Sequence, residues 1–284
     1  MSLKTKKAMA KRLISCIYSF ILTLIFVVLF ICSGIGIGLL NRQGVIRNLD
    51  KSNYYREVYE ALYDRASRDI EAAGFPASVL EEAITLERVY ITGKGYHNAI
   101  LNTEATPLKT EKLKETLDRN LRQYLMAKGV EPDQLTSSLE NLLQTIEQDY
   151  KDAIDLPILI TIAAYRSNYV KGLLYGMPIM ILLVGSLCYL LLRIYRNSYI
   201  HRGIRYITYA LMSASILISS MAGYLLITKP YLGISAQPAY YHSFLIEYLH
   251  WSIVIFVYIG GMGFVLSLIL MSLVSYLKNR MKNN

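Results

Sequence analysis

No cysteine stands between residues 41 and 170 of this 284-residue chain, since Cys16, Cys32 and Cys188 all fall inside apolar runs. A domain without cysteine has no disulfides, so its own core or a partner must hold it together. The same stretch lacks any Asn-x-Ser/Thr sequon. Both absences suit the outer side of a bacterial plasma membrane. Charge is missing elsewhere: away from their edges, the long apolar runs hold no Asp, Glu, Lys, Arg or His. Ionisable residues deep in a span usually mark ion or proton pathways. Their absence argues against a transporter working through buried carboxylates and against an intramembrane aspartyl or metal-dependent protease.

Catalytic motifs are absent too. His97 is the one histidine of the 41–170 stretch, no serine sits in a G-x-S-x-G setting, and no HExxH occurs. The segment Thr92-Gly-Lys-Gly95 invites comparison with a phosphate loop. That loop needs GxxxxGK[ST] between a strand and a helix, whereas here one residue separates the glycines. A turn is the better reading. No catalytic or cofactor-binding residue is assigned, and a non-enzymatic protein without a cofactor is expected.

What the chain does contain is apolar length. Hydrophobic residues make up 54% of it, and its mean hydropathy is +0.32. About 20 apolar residues cross a bilayer as a helix. Leu13–Leu40, Leu173–Leu192, Ile204–Ile227 and Phe244–Leu277 all reach that length. The first is too long for a signal-peptide core and has no convincing cleavage site, so it reads as a retained span. The expectation is an all-α integral membrane protein, with four transmembrane helices and a helical extracytoplasmic domain between the first two.

The net charge of +9 divides by segment. Residues 1–12, the loop Arg193–Arg205 and the tail after Leu277 carry 12 Lys/Arg and no acid, while residues 41–172 hold 17 basic against 20 acidic residues. Basic short loops stay in the cytoplasm. The excess is therefore a topology signal, with some attraction to anionic lipid, and not a nucleic-acid footprint. The expected order is a cytoplasmic N-terminus (1–12), span one (13–40), an extracytoplasmic domain with a juxtamembrane stalk (41–170) and span two (171–195). A cytoplasmic loop (196–203), span three (204–227), a short outer loop (228–243), span four (244–277) and a cytoplasmic tail (278–284) complete it.

Apolar residues recur at helical spacing inside the polar insert. Tyr55, Val58, Tyr59, Leu62, Ala66 and Ile70 predict a helix over Ser52–Ala73, closed by Gly74 and Pro76. A short helix is expected over Ser78–Ala83, and Gly93 and Gly95 leave Leu86–Leu101 ambiguous. Two more helices follow: Thr110–Lys128, stopped by Gly129, and Thr136–Ile154, faced by Leu139, Leu142, Leu143 and Ile146. Strand signals are absent. Residues Leu156–Ala164 are too few to span. They read either as an interfacial stalk running into span two or as a buried helix of the bundle.

Small residues stripe the spans: Ser15, Ser19 and Thr23, then Gly34 and Gly38, Ser215, Ser219 and Gly223, and Gly260, Gly263 and Ser267. Such faces let helices approach closely, within one subunit or in a homo-oligomer. At the outer end of span four, Glu247 and His250 share a helix face and His242 lies upstream. Carboxylate and imidazole at that spacing can ligate a metal. The alternative, and the preferred reading, is an interfacial belt with Tyr240, Tyr241, Tyr248 and Trp251 at the headgroups.

Three functions fit this topology. The first is a plasma-membrane sensor, interaction or assembly module whose external bundle binds a partner or ligand. In topology alone the chain also resembles mechanotransmission permeases that work with a separate ABC ATPase. Their external domain mixes strands with helices, and no residue carries over. A connexin-like large-pore channel is the third, but those families pin their outer loops with disulfides. The first reading is preferred. No Gly/Ser-rich linker separates the bundle from span two, so a stiff joint is expected, with Pro157 and Pro178 as bending points.

Overall fold

The computed structural model describes residues 3–104, 106–130, 136–195 and 200–283. The described residues are helical, with no strand, and divide into two compact units. One unit comprises Met1–Asn41, Arg166–Gly233 and Leu249–Asn284; the other comprises Arg42–Tyr165 and Ile234–Tyr248.

The first unit is built from helices long and apolar enough to cross a bilayer, as a multi-pass membrane protein requires. Helix α1 (Leu3–Gly34) ends in a wider π turn, Ile35–Leu39. The unit also takes in most of α7 (Pro157–Tyr195), all of α8 (Ile200–Thr228) and most of α9 (Ala239–Asn283). Its outward faces carry bare apolar side chains such as Leu174, Leu182 and Ile227. Water would penalise that surface and lipid would not.

Inside this unit the small-residue stripes meet each other. Ser19 Oγ donates to the Tyr206 carbonyl at 2.8 Å, and the Ser15 hydroxyl lies 3.1 Å from that of Tyr195. A Cβ on Gly260 would come within 2.2 Å of Ser219 Oγ and 3.0 Å of the Ser215 carbonyl oxygen. One on Gly263 would strike Ser215 and Phe30, and one on Gly34 the ring of Phe256. These glycines are spent on contacts within the chain, whereas Gly223 faces open space.

The polar unit packs α2 (Arg42–Lys51), α3 (Tyr54–Ala72), α4 (Leu86–Leu101), α5 (Glu111–Ala127) and α6 (Thr136–Ile154). The core faces follow the apolar spacing: Val58, Leu62, Ala66 and Ile70 on α3, and Leu113, Leu117, Leu121 and Leu125 on α5 are buried. Gly74 and Gly129, at φ of +86° and +73°, end α3 and α5 in the left-handed conformation that favours glycine. Thr85 caps α4 by accepting a bond from the Arg88 amide.

The structure departs from the sequence expectations at several points. On α3 Tyr54 is buried and Tyr59 only half-buried; on α6 Leu143 is buried and Leu142 half-buried. The expected helix over Ser78–Ala83 is a single 3-10 turn, Ala77–Leu80. Gly93 and Gly95 do not break α4. The Thr92–Gly95 segment lies within the helix and is not a turn, because Gly93 makes room for Tyr55, whose ring would sit 3.1 Å from an added Cβ. The buried-helix reading of Leu156–Ala164 is the one the structure shows. Leu156, Leu159, Ile162 and Ala163 are buried, yet the residues from Pro157 on are the start of the continuous helix α7. Pro157 is the first residue of α7, where it costs no hydrogen bond, so it starts the helix and does not bend it. Pro178 lies inside it.

Helix α9 begins at Ala239, earlier than the apolar run suggests. Phe244 is fully buried in the polar unit, with its ring 6.2 Å from Tyr54 and 5.6 Å from Tyr248. Tyr240 also lies against Tyr54, at 5.6 Å. Tyr240 and Tyr248, expected at the headgroups, are thus part of an aromatic cluster that their ring packing explains.

Candidate functional site

The metal candidates have partners of their own. Glu247 forms an ion pair with Lys51, and His250 Nδ1 lies 2.9 Å from the Tyr231 hydroxyl. His242 is half-buried. Among the described residues no group of three His, Cys, Asp or Glu side chains is placed to hold a metal ion. Lys94, of the Thr92–Gly95 segment, bonds Asp50 at 2.8 Å and lies over the Tyr90 ring. Those partners hold its ammonium in charged form and raise its pKa.

The chemistry concentrates elsewhere, in a cleft of about 430 Å³ in the polar unit. Three segments line it. Helix α3 gives Ala61, Leu62 and Arg65; α6 gives Asp149, Asp152 and Ala153; the segment before α9 gives Gln237 and Pro238, and the first turn of α9 gives Tyr240. The spacing i, i+3, i+4 puts the α6 residues on one helix face. Arg65 Nη2 donates to Asp149 Oδ1 at 2.8 Å. The two partners are unequal: the Asp149 side chain is 6% exposed and that of Arg65 59%. Asp149 Oδ2 is buried, and a side-chain hydrogen bond links the Asp149 carboxyl to that of Asp69. Burial pushes the Asp149 carboxyl above its ordinary range; Arg65 pulls it back, while Asp69 and Asp152 push it up further. Asp152 is exposed and accepts from the Gln148 amide at 2.8 Å.

The polar unit also holds a buried imidazole. His97 is fully buried, with Nε2 2.8 Å from the Ile154 carbonyl oxygen and Nδ1 3.1 Å from the Tyr55 hydroxyl. A carbonyl only accepts, so Nε2 carries the proton, Nδ1 accepts, and Tyr55 donates. Burial lowers the His97 pKa to about 4, against a smaller opposing pull from the Ile154 carbonyl. Burial likewise pushes the Tyr54 and Tyr55 hydroxyls up. Tyr54 donates to the Ala153 carbonyl at 3.3 Å, joining this cluster to the cleft wall.

A larger hollow of about 610 Å³ lies between the start of α4 and α5, lined by residues such as Arg88, Lys109 and Glu111.

Sequence reasoning passed over Asp149 and Arg65. The signal for Asp149 was present: it falls on α6 three residues after Ile146, beside the apolar stripe. Nothing in the sequence could pair it with Arg65, 84 positions away, or bring Tyr240 to the same cleft. No protein-family model matches the chain, and neither a curated protein nor a solved structure is significantly similar to it.

Proposed function

We propose that this chain is a plasma-membrane sensor or interaction module. Its polar unit faces outward, binds a ligand or partner, and passes the event to a four-helix membrane bundle. One observation carries this reading: two helices long and apolar enough to span a bilayer begin as core elements of the polar unit. Helix α7 starts there with Leu159 buried, and α9 starts there with Phe244 buried. Neither start is a flexible tether, and a stiff connection transmits displacement that a flexible one would absorb. The uncompensated basic residues at both termini and in the loop Arg193–Arg205 support cytoplasmic ends and an external polar unit.

In-cell cross-linking of the full chain, with the linked peptides identified, tests this function. Cross-links to non-self molecules should fall on residues 42–165. Cross-links confined to the Arg193–Arg205 loop would overturn the reading, and one from that loop to an ATPase would establish the permease-like alternative.

A further inference from the structure

We propose that the basic rim at one end of the apolar unit, where α1, α7, α8 and α9 come together, is a headgroup site for anionic phospholipid. Arg205 and Lys278 are its anchors. This site depends neither on what the polar unit binds nor on which way that unit faces.

The apolar unit has no counter-charge of its own. Its segments, Met1–Asn41, Arg166–Gly233 and Leu249–Asn284, hold 15 Lys and Arg and no Asp or Glu. No carboxylate side chain within the unit can neutralise them. A single cation at a membrane edge is served by water, whereas several held together beside a low-dielectric phase repel one another. An anion from outside the chain relieves that repulsion.

Charge in the sequence gives only a diffuse attraction, and the helix packing gathers it. The Ser15 hydroxyl lies 3.1 Å from that of Tyr195, and Ser19 donates to the Tyr206 carbonyl at 2.8 Å. The rings of Tyr195 and Tyr206 stack with centroids 6.0 Å apart. Gly203 lets α8 approach the end of α7, since an added Cβ would come within 3.0 Å of the Leu191 carbonyl oxygen. From α9, Lys278 lies close enough to the buried His201 for its charge to act on that ring, as do Arg202 and Arg205. Lys11 and Arg12 precede Ser15 by about one helical turn, and Arg193 stands just before Tyr195. Cations from four helices are thereby held at one end, and the helices cannot splay to separate them.

The neighbours of these cations select a lipid over a soluble anion. Leu13 and Ile17 lie exposed beyond Lys11 and Arg12, and Leu273 and Tyr276 lie exposed before Lys278. Basic side chains bordering a bare apolar surface at the end of a span reach headgroup level. There a guanidinium can take two phosphate oxygens at once, and an ammonium adds a point charge. A zwitterionic headgroup offers the same phosphate with its charge cancelled, so the preference is for net negative lipid.

Native mass spectrometry of the full chain, released from mixed micelles with equal dioleoyl phosphatidylglycerol and dioleoyl phosphatidylcholine, counts the lipids retained. Phosphatidylglycerol should be retained in preference to phosphatidylcholine. Arg205→Gln and Lys278→Gln should each weaken that retention by roughly fivefold, the share of one basic residue near a charged surface. Lys171→Gln, which removes an exposed positive charge nearer the other end of α7, should leave it unchanged. Arg205 is half-buried and Lys278 exposed, so Lys278→Gln keeps the test open should Arg205→Gln fail to fold. Equal retention of the two lipids would overturn the proposal, because headgroup charge would then not be the cause. Unchanged retention in Lys278→Gln, or an equal loss in Lys171→Gln, would overturn it by removing the local rim. Displacement of the lipid by sodium glycerol phosphate at constant ionic strength would also overturn it, since the rim would then take a soluble phosphate. Retention in micelles has no sidedness, so this site can fail while the proposed function holds, and the reverse.

Discussion

The Nε2 nitrogen of His97 donates to the carbonyl oxygen of Ile154, the last residue of α6, across 2.8 Å. The bond ties the middle of the polar unit to the point where the chain turns into α7. It holds only while the ring stays neutral in that tautomer and Tyr55 donates to the other nitrogen. Because burial depresses the His97 pKa from 6.5 to about 4, its stabilising contribution is full above pH 6.5 and is lost as pH falls toward 4. Between those limits the unfolded chain binds the proton and the folded one resists it. The loss should reach about 3 kcal/mol. Thermal unfolding from pH 7 to 4, compared with His97→Gln, measures it, and the variant should show a flatter profile. The raised carboxyl of Asp149 works with the opposite sign over the carboxylate range, so the difference between the two proteins isolates the imidazole.

Phe244 offers a second check. It opens an apolar run that reads as a membrane span, yet its ring is fully buried against Tyr54 and Tyr248 in the polar unit. Phe244→Ala should destabilise that unit by about 3–5 kcal/mol, as a vacated core site does. Hydrogen exchange should show the protection of α3 falling. Unchanged protection would mean that the ring is not a core element.

The residues that were legible in the sequence are those whose contacts repeat at helical spacing. Leu113, Leu117, Leu121 and Leu125 announce a buried stripe because each lies one turn from the next, and α6 keeps the boundaries its pattern predicts. The four apolar helices were legible from length alone. What stayed hidden depends on contacts between distant segments. Gly93 and Gly95 look like breakers until Tyr55 is seen lying against Gly93. Tyr240 looks interfacial and Phe244 looks like the start of a span, because an aromatic ring suits a membrane and a protein core alike. Arg65 and Asp149 are ordinary surface charges in sequence, and only burial distinguishes the Asp149 carboxylate.

Gly260 tests the packing of the apolar unit. An added side chain would meet Ser219 Oγ and the Ser215 backbone, and the backbone cannot swing aside. Gly260→Leu should lower the thermal midpoint of the purified protein, whereas Gly223→Leu, in open space, should leave it unchanged. Equal effects of the two would mean that these stripes do not set how closely α8 and α9 approach.

Orientation can be read by labelling. With the three native cysteines replaced by alanine, a cysteine at the exposed Glu71 should react with an impermeant maleimide on intact cells, and one at Asn197 should react only after lysis. Reversal of that pattern would place the polar unit in the cytoplasm and remove the proposed function.

The proposed coupling turns on the joint between α6 and α7. Helix α6 ends at Ile154, and α7 begins at Pro157 and runs without interruption to Tyr195. Any displacement of α6 would reach α7 across only Asp155 and Leu156. We expect a ligand or partner bound to residues 42–165 to change the labelling rate of a cysteine placed at Arg193, near the far end of α7. A Gly/Ser segment inserted after Asp155 should leave that binding intact and abolish the change, because a flexible joint dissipates displacement. Pro178→Ala, which restores a helix hydrogen bond within α7, should alter the size of the response and leave binding untouched. If the labelling change survives the insertion, the joint carries no motion and the chain is a static scaffold.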